Sequence, residues 1–386
     1  EQRQLLLKAQ RTGEPLAEVL SSAGWCYDDL IYDKSGVKHW EGGRPPPLAE
    51  YWSGRPDLPL VSFFTGCGGM DLGLEAAGYR HLAGFEINEL FCKTLRRNRP
   101  DWAIFGPPTH SGDVSRFDDV ASALERIIQI PFEGLFAGGP PCQPFSIASN
   151  QRFPKGDDNF KRTGFLHEAN GNLLFDFLRL IIAFRPRAFL IENVPGLRDL
   201  DGGVQLAAAM KELRGNGFNV SEPLILDAAQ YRVPQTRTRL FVIGSRNHRA
   251  FVPPKPSPQV IGAGSVLADI GPGLKNMETR DHKAESILRY MRLDYGQRDQ
   301  LGRVNRLDPT SPSNTVIAGG TNGGGRSHLH PEIPRTLSVR ECARLQTFPD
   351  DFEFMGPSGR QFTQAGNAVP PLLAAQVGRS IRESFF

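Results

Sequence analysis

Cysteine is scarce in this chain: five residues in 386, Cys26, Cys67, Cys92, Cys142 and Cys342, with no Cys-x-x-Cys spacing. An odd, scattered set argues against a disulfide framework and against a thiolate-rich zinc site, so no metal is expected and a reducing, cytoplasmic compartment is. No apolar run approaches the roughly 20 residues of a membrane helix, and no secretory leader is visible. The first residue is Glu1 rather than Met, which suggests a trimmed start. Net charge is only +3, too small by itself to mark a polyanion partner. No segment repeats. What is present is globular: 39% hydrophobic and 23% charged residues, enough for a sizeable interior, over a length that favours two domains.

Basic residues are unevenly spread. Arg232, Arg237, Arg239, Arg246, His248 and Arg249 crowd one stretch, and Arg298, Arg303 and Arg306 another. Such clusters suit phosphate and base contacts, although a solvated surface reads the same way. Residues 1–55 look separate, with a short helix at Leu16–Leu20 and a linker at Gly42–Pro47. From Leu60 strand and helix alternate. Strands are expected at 60–64, 81–85, 135–137, 188–191 and 239–245, and helices at 71–77, 88–97, 173–184 and 205–214. That alternation predicts an α/β fold with a doubly wound, mostly parallel sheet. Residues 246–334 are a Pro/Gly-dense, loop-rich insert with one helical patch at Glu285–Met291, and a final helix is expected at 370–383. Residues 56–245 and 335–386 then form one domain and 246–334 a smaller second one.

Two short segments carry chemistry. Leu135-Phe136-Ala137 leads into Gly138-Gly139-Pro140-Pro141-Cys142-Gln143, a rigid turn presenting one thiol at the carboxyl end of a strand, where open α/β sheets build their sites. A lone cysteine is more often a small buried hydrophobe. The second segment, Phe189-Leu190-Ile191-Glu192-Asn193-Val194, ends another apolar run on a carboxylate that burial should help to hold a proton. A thiolate beside a protonatable carboxyl suits addition to an electron-poor ring.

A ligand loop lies between the first strand and first helix, Phe64-Thr65-Gly66-Cys67-Gly68-Gly69. Gly66-x-Gly68 begins a dinucleotide fingerprint, but Asp71 occupies the third glycine position, where its charge would repel pyrophosphate. An adenosine-type ligand with a positive sulfonium and no phosphates fits better. Glu86 ends the next strand, where an acid grips ribose hydroxyls, with Ile87 beside it. Asp113, followed by Val114, is placed at the end of the third strand as an acceptor for the adenine amino group.

With these motifs in hand, the chain resembles the DNA (cytosine-5) methyltransferases of the bacterial restriction-modification type, over roughly 58–245 and 335–386. Phe64–Gly69 resembles the family's S-adenosylmethionine loop, Pro140-Pro141-Cys142-Gln143 its nucleophile motif and Glu192-Asn193-Val194 its glutamate motif. Gln235-x-Arg237-x-Arg239 matches its arginine motif, Arg335–Gln346 the helix that organises its recognition domain, and Gly366-Asn367-Ala368-Val369-Pro370 the late segment closing the cofactor site. The resemblance implies the S-adenosylmethionine-dependent methyltransferase fold, with 246–334 as target recognition domain. It implies a flipped-out cytosine attacked by Cys142, Glu192 holding the ring nitrogen and amine, Arg239 binding the carbonyl oxygen and Arg237 bracing. S-adenosylmethionine, leaving as S-adenosylhomocysteine, would contact Phe64, Gly66, Gly68, Gly69, Glu86, Ile87, Asp113, Val114, Asn367 and Ala368. Residues 143–170 would form a closing lid, with Gln143, Ser146 and Ile147 on DNA and Ile147–Asn150 as a wedge. Arg303, Arg306 and Arg326 would read the sequence, with plain phosphate contacts as the alternative. Duplex DNA, a cognate endonuclease and a monomeric state complete the expectation. Departures are Ser62, where an acid is common, Ile87, where an aromatic residue often meets adenine, and a longer segment after Cys142. The same chemistry on tRNA, a non-catalytic DNA-binding relative and a nicotinamide oxidoreductase are the competing readings.

Overall fold

Apolar runs of strand length, broken by glycine and polar turns, alternate with 3.6-residue patterns along most of the chain, and the elements follow them. A computed structural model describes every residue except 35, 37, 52, 53, 55, 142–172, 248, 269, 272, 302, 303 and 319–327, and omits the side chain of residue 201. The chain divides into two compact units. A sheet unit comprises Leu48–Ala228, Thr238–Pro256 and Pro371–Phe386, and an insert unit comprises Glu1–Pro47, Ala229–Arg237 and Ser257–Pro370.

With elements numbered in chain order, the strands of the sheet unit are β1 (Leu58–Phe63), β2 (Tyr79–Phe85), β3 (Ile104–Phe105), β4 (Leu135–Gly138), β5 (Ala188–Asn193), β6 (Asn219–Val220), β7 (Leu224–Asp227) and β8 (Thr238–Ser245). Its helices are α3 (Gly69–Ala76), α4 (Glu89–Asn98), α5 (Phe117–Leu124), α6 (Leu173–Phe184), α7 (Gly196–Asp199), α8 (Val204–Gly215) and α13 (Pro371–Phe385). The strands lie in the order β3-β2-β1-β4-β5-β8-β6, with β7 also on β8. Pairs from β3 through β5 are parallel, whereas β8 runs antiparallel to β5, β6 and β7. The mostly parallel, doubly wound expectation therefore holds, with an antiparallel edge that strand-helix alternation does not reveal. Order reverses between β1 and β4, the switch point beside which open α/β sheets take ligands.

Continuous burial along the central strands explains their near-continuous apolar runs. Val61, Phe63, Phe136 and Phe189 share one core with Phe177, Leu178 and Ile181 of α6. Elsewhere in this unit α13 crosses α3 so closely that a Cβ on Gly73 would stand 2.2 Å from the Pro371 carbonyl oxygen, which is why a glycine stands there.

The insert unit holds α1 (Gln2–Thr12), α2 (Leu16–Ser22), α9 (Gly264–Leu267), α10 (Ala284–Tyr290), α11 (Val339–Leu345) and α12 (Ser358–Asn367). A small sheet joins them in the order β11 (His328–Leu329), β10 (Val304–Arg306), β9 (Arg298–Asp299). The division differs from the one read in the sequence. Residues 1–47 are not a separate extension, because Leu6, Ala9, Leu16, Val19, Leu20 and Leu30 form one core with Ile287, Met291, Val304 and Leu329. Residues 335–370 likewise group with the insert. Arg335 makes a bidentate pair to Glu341 (2.8 and 2.9 Å) and reaches Asp28 at 2.5 Å. The same Glu341 closes a capping box with Ser338 at the start of α11.

His282 in this unit accepts from the Thr336 amide at 3.3 Å through Nε2, a bond only the neutral ring makes. Burial, helped by Arg280 and Arg335, pushes its pKa down from the usual value to about 4. Between the unfolded value near 6.5 and about 4, the unfolded chain binds the extra proton, so stability falls as pH falls, by up to about 1.4 kcal/mol per pH unit. Denaturant titrations from pH 7 to 4 should show that slope, and His282→Gln should flatten it.

Candidate active site

The first strand ends in a sharp backbone reversal. Phe64 (φ 54°) and Gly66 (φ 59°) both lie in the left-handed region, and Gly68 (φ 89°) starts α3, with Gly69 as its first residue. Gly66 needs glycine for its conformation and leaves its face open: an added Cβ would meet nothing closer than the Phe64 carbonyl oxygen at 4.0 Å. Register places Phe63 beside Phe85, so the loop meets the end of β2. There the buried Glu86 carboxylate accepts from the Gly66 and Asn88 amides, each at 2.7 Å. Burial is the largest influence on Glu86 and raises its pKa against the pull of those amides. Ile87, next in the chain, is 61% exposed.

Asp113 reaches the same corner by a route the sequence reading did not foresee. β3 ends at Phe105, so Asp113 lies in the loop beyond it rather than at the strand end. Gly112 (φ 67°) presses onto the Glu86 carbonyl so closely that a Cβ would be 2.0 Å away, and this carries Asp113 to the Glu86–Ile87 edge. Its Oδ1 accepts from the Ser115 amide and hydroxyl (3.0 and 2.7 Å). Val114 is buried in the sheet-unit core, so its side chain packs inside instead of lining an open cleft. Asp176 on α6, which sequence reasoning missed, is half-buried, and burial together with the nearby Asp113 raises its pKa. No pattern around Asp176 distinguishes it from an ordinary helix acid.

Asp71 also differs from expectation. It is fully buried on α3, and its Oδ1 meets His81 Nε2 of β2 at 2.9 Å, with the His81 ring stacked on Trp102 at 4.1 Å. Its Oδ1 is turned to His81 inside the fold. The missing third glycine is what sets this loop apart from a dinucleotide fingerprint.

The second half of the site lies at the carboxyl ends of β4 and β5. Their parallel register sets Gly138 beside Ile191, which brings Gly139 alongside Glu192. A Cβ on Gly139 would come within 2.8 Å of Glu192 Oε2, and Asn193 Nδ2 donates to the Pro140 carbonyl at 3.2 Å. The turn that leads toward Cys142 is thus fastened to the strand that carries Glu192. β8 runs back along β5 with Asn193 opposite Leu240, which puts Arg239 at the same end. Arg239 Nε meets Glu192 Oε1 at 2.9 Å, each side chain 13% exposed, and its Nη1 donates to the Thr238 carbonyl at 2.8 Å. The sequence predicts a partly desolvated Glu192; the structure adds a guanidinium that faces it.

The other arginine of that motif has different surroundings. Arg237, in the insert unit, is buried and donates to the Val316 and Gly366 carbonyls at 3.1 and 2.7 Å, a bracing role inside that unit. Gln235 is buried there too, donating to Gln346 Oε1 (2.7 Å) and accepting from the Val316 amide (2.8 Å). Asn367 closes α12 and is exposed, and Ala368 follows it with its carbonyl accepting from Gln346 at 3.3 Å. Arg306 was expected to read bases, but it is buried and lies between the rings of Tyr32 (3.6 Å) and Tyr295 (3.8 Å). Its guanidinium is committed to the interior of the insert unit, so it is not a groove contact. Cys142, Gln143, Ser146, Ile147, the 143–170 lid, Arg303 and Arg326 lie outside the described residues. Among the described residues no cluster of His, Cys, Asp and Glu is arranged to hold a metal, and no helix is long and apolar enough to cross a membrane.

This geometry can be set beside known proteins. The family model for C-5 cytosine-specific DNA methylases matches residues 58–383. Type II methyltransferase M.PspPI of Psychrobacter sp. (strain TA137) is 33% identical over 83% of this chain and 78% of its own length. Type II methyltransferase M.Eco47II of Escherichia coli is 32% identical over the same shares. A solved structure of a putative DNA modification methyltransferase encoded within an E. coli prophage shares the fold, with TM-score 0.69 and 23% identity over 85% of this chain and 99% of that one. The chain therefore belongs to the C-5 cytosine-specific DNA methylase family and is a DNA cytosine-5 methyltransferase.

Proposed function

We propose that this enzyme methylates carbon 5 of a cytosine flipped out of a specific duplex sequence, through a transient bond to Cys142, as the modification half of a restriction-modification system. The observation that carries this reading is the Glu192–Arg239 pair at the carboxyl end of β5, with the turn leading to Cys142 fastened beside it. The name Type II methyltransferase borne by its relatives supports the biological setting, in which a cognate endonuclease cuts the same unmodified sequence. We infer a monomer acting in the bacterial cytoplasm on chromosomal DNA.

Family membership implies S-adenosylmethionine, and the residues fit it. The open face over Gly66, the buried Glu86 acceptor and the exposed Ile87 together suit a ribose and an adenine ring without phosphates. Phe64, Gly66, Gly68, Gly69, Glu86, Ile87 and Asp113 would hold it, with the Val114 backbone, Asn367 and Ala368. When bound, it supplies an electrophilic methyl group and leaves as S-adenosylhomocysteine. The chemistry calls for no metal.

The chain's own residues do the rest. An unperturbed thiol is only a few per cent ionised at neutral pH, so Cys142 needs local donors to present a thiolate to carbon 6. Bond formation between Sγ and carbon 6 breaks the ring's conjugation and makes carbon 5 nucleophilic. Glu192, protonated, would donate to the ring nitrogen and accept from the exocyclic amine. Arg239 would turn from Glu192 to the base carbonyl oxygen, placing a cation where negative charge grows. Carbon 5 would then take the methyl group, and loss of its proton to a base restores the double bond and expels Cys142. A stacked ring hides carbon 6, so the base must leave the duplex at a cost of about a few kcal/mol. Residues 143–170 would close over it, with Gln143, Ser146 and Ile147 on DNA.

Bisulfite sequencing of plasmid DNA from cells expressing the chain tests the reading directly. One cytosine in one recurring sequence should resist conversion. Complete conversion of plasmid DNA alongside newly methylated tRNA would overturn it. For the cofactor site, Glu86→Ala should weaken S-adenosylmethionine binding by about 1–3 kcal/mol with the fold retained, because hydroxyls would lose a buried acceptor. Calorimetry showing unchanged affinity would remove Glu86 from the site.

A further inference from the structure

Strands β9, β10 and β11 hold two, three and two residues, too few to stand without a covering layer. The side chains of Val304 and Arg306, two apart on β10, share one face. Val304, and Leu329 of β11, which register sets opposite Arg306, sink into the core built by α1, α2, α10 and Leu30. Arg306 is gripped by Tyr32 and Tyr295 and donates to the Pro331 and Leu293 carbonyls, both at 2.8 Å. Tyr32 in turn donates to the His330 carbonyl at 2.8 Å, just past β11, and the Asp33 amide donates to the Met291 carbonyl at 2.9 Å. The covering layer is therefore the N-terminal segment. That segment precedes the part of the chain that matches the family model, which begins at residue 58.

In the sequence, β10 stands between Arg303 and the segment that carries Arg326, the two remaining candidates for base reading. We propose that residues 1–33 are a positioning element for DNA recognition, with Tyr32 and Arg306 as its positioning residues: the N-terminal segment fixes β10 and β11, the strands that Arg303 and Arg326 precede in the sequence. The proposal rests on the reading that the insert recognises DNA. It makes recognition a property of a composite unit, the insert plus residues distant in sequence, and it gives Arg306 a role without DNA contact. A long, planar cation between two rings is a fastening that lysine cannot reproduce, because lysine lacks the flat face and the fork of donors.

Full-length Tyr32→Leu keeps apolar bulk and removes both the ring face and the hydroxyl, Arg306→Lys keeps the charge, and Tyr32→Phe removes the hydroxyl alone. For Tyr32→Leu and Arg306→Lys the KM for cognate DNA should rise about tenfold, and methylation of near-cognate sequences should rise relative to cognate. Affinity for S-adenosylmethionine and kcat at saturating DNA should stay within about twofold. Tyr32→Phe should behave nearly as wild type. Unchanged DNA KM and sequence preference in both variants would overturn the proposal, as would cofactor affinity falling in step with DNA affinity. If Tyr32→Leu does not fold, Arg306→Lys decides alone. The double variant Arg303→Ala/Arg326→Ala in the same assay separates the two layers. If it leaves DNA recognition untouched, the reading of the insert fails; if it alters recognition while the Tyr32 and Arg306 variants do not, only the positioning role fails.

Discussion

Alanine at Cys142 will lower methyl transfer by a factor on the order of 10⁴–10⁶, the usual cost of removing a covalent nucleophile. The more diagnostic result comes from duplex DNA carrying 5-fluorocytosine at the target position. Once carbon 5 has been methylated, resolution needs departure of a proton that this base does not have, so enzyme and DNA should remain joined. The adduct should require S-adenosylmethionine, survive denaturing electrophoresis and vanish in Cys142→Ala. It should persist when Cys67 or Cys342 becomes alanine, because both thiols are buried and burial holds their pKa values far above neutrality, Cys67 at about 12. A peptide adduct mapping to any other cysteine would overturn the mechanism.

The second large effect falls on the Glu192–Arg239 pair. Glu192→Gln should lower kcat by a factor on the order of 10²–10⁴, since the amide keeps the shape but cannot hold or give the proton the ring requires. Arg239→Ala should lower it comparably and should also cost about 1–3 kcal/mol of stability, because a mostly buried carboxylate loses its partner. The two act as one device, so the double variant should be little worse than the poorer single variant. Additive losses in kcat would show that the residues work independently. Throughout, binding of S-adenosylmethionine should be retained, because Glu86 and the Phe64 loop draw their geometry from β1 and β2.

Much of this was legible because it depends on local pattern. The strands through β5 follow short apolar runs, and Gly66, Glu86 and Glu192 all stand where those runs end. What pattern could not supply was pairing between distant segments. The antiparallel course of β8 decides that Arg239 faces Glu192, and nothing in an apolar octet states its direction. Asp113 is a similar case: its place depends on Gly112 touching the Glu86 carbonyl, not on the end of a strand. Arg306 was misread for a physical reason. An arginine in a loop-rich basic stretch resembles a phosphate or base contact until the two aromatic faces that enclose it, one of them far away in the chain, are known. The buried Asp71–His81 pair was invisible for the same reason, since each residue alone is an ordinary polar position.

That the N-terminal helices complete a core whose other half begins near Ala284 also bears on synthesis. The ribosome releases Leu6, Leu16 and Leu20 before their partners, which lie roughly 250 residues downstream, a wait of roughly 12–50 s at about 5–20 residues per second. Through that interval the sheet unit's β1–β5 segment emerges and can begin to form, while two short amphipathic helices stand with their apolar faces uncovered. Isolated helices of that length are marginal in water, so the waiting segment offers chaperones a binding site and proteases an unfolded stretch. The order of emergence thus leaves these helices waiting for their place, and the yield of active enzyme depends on how well they are sheltered until then.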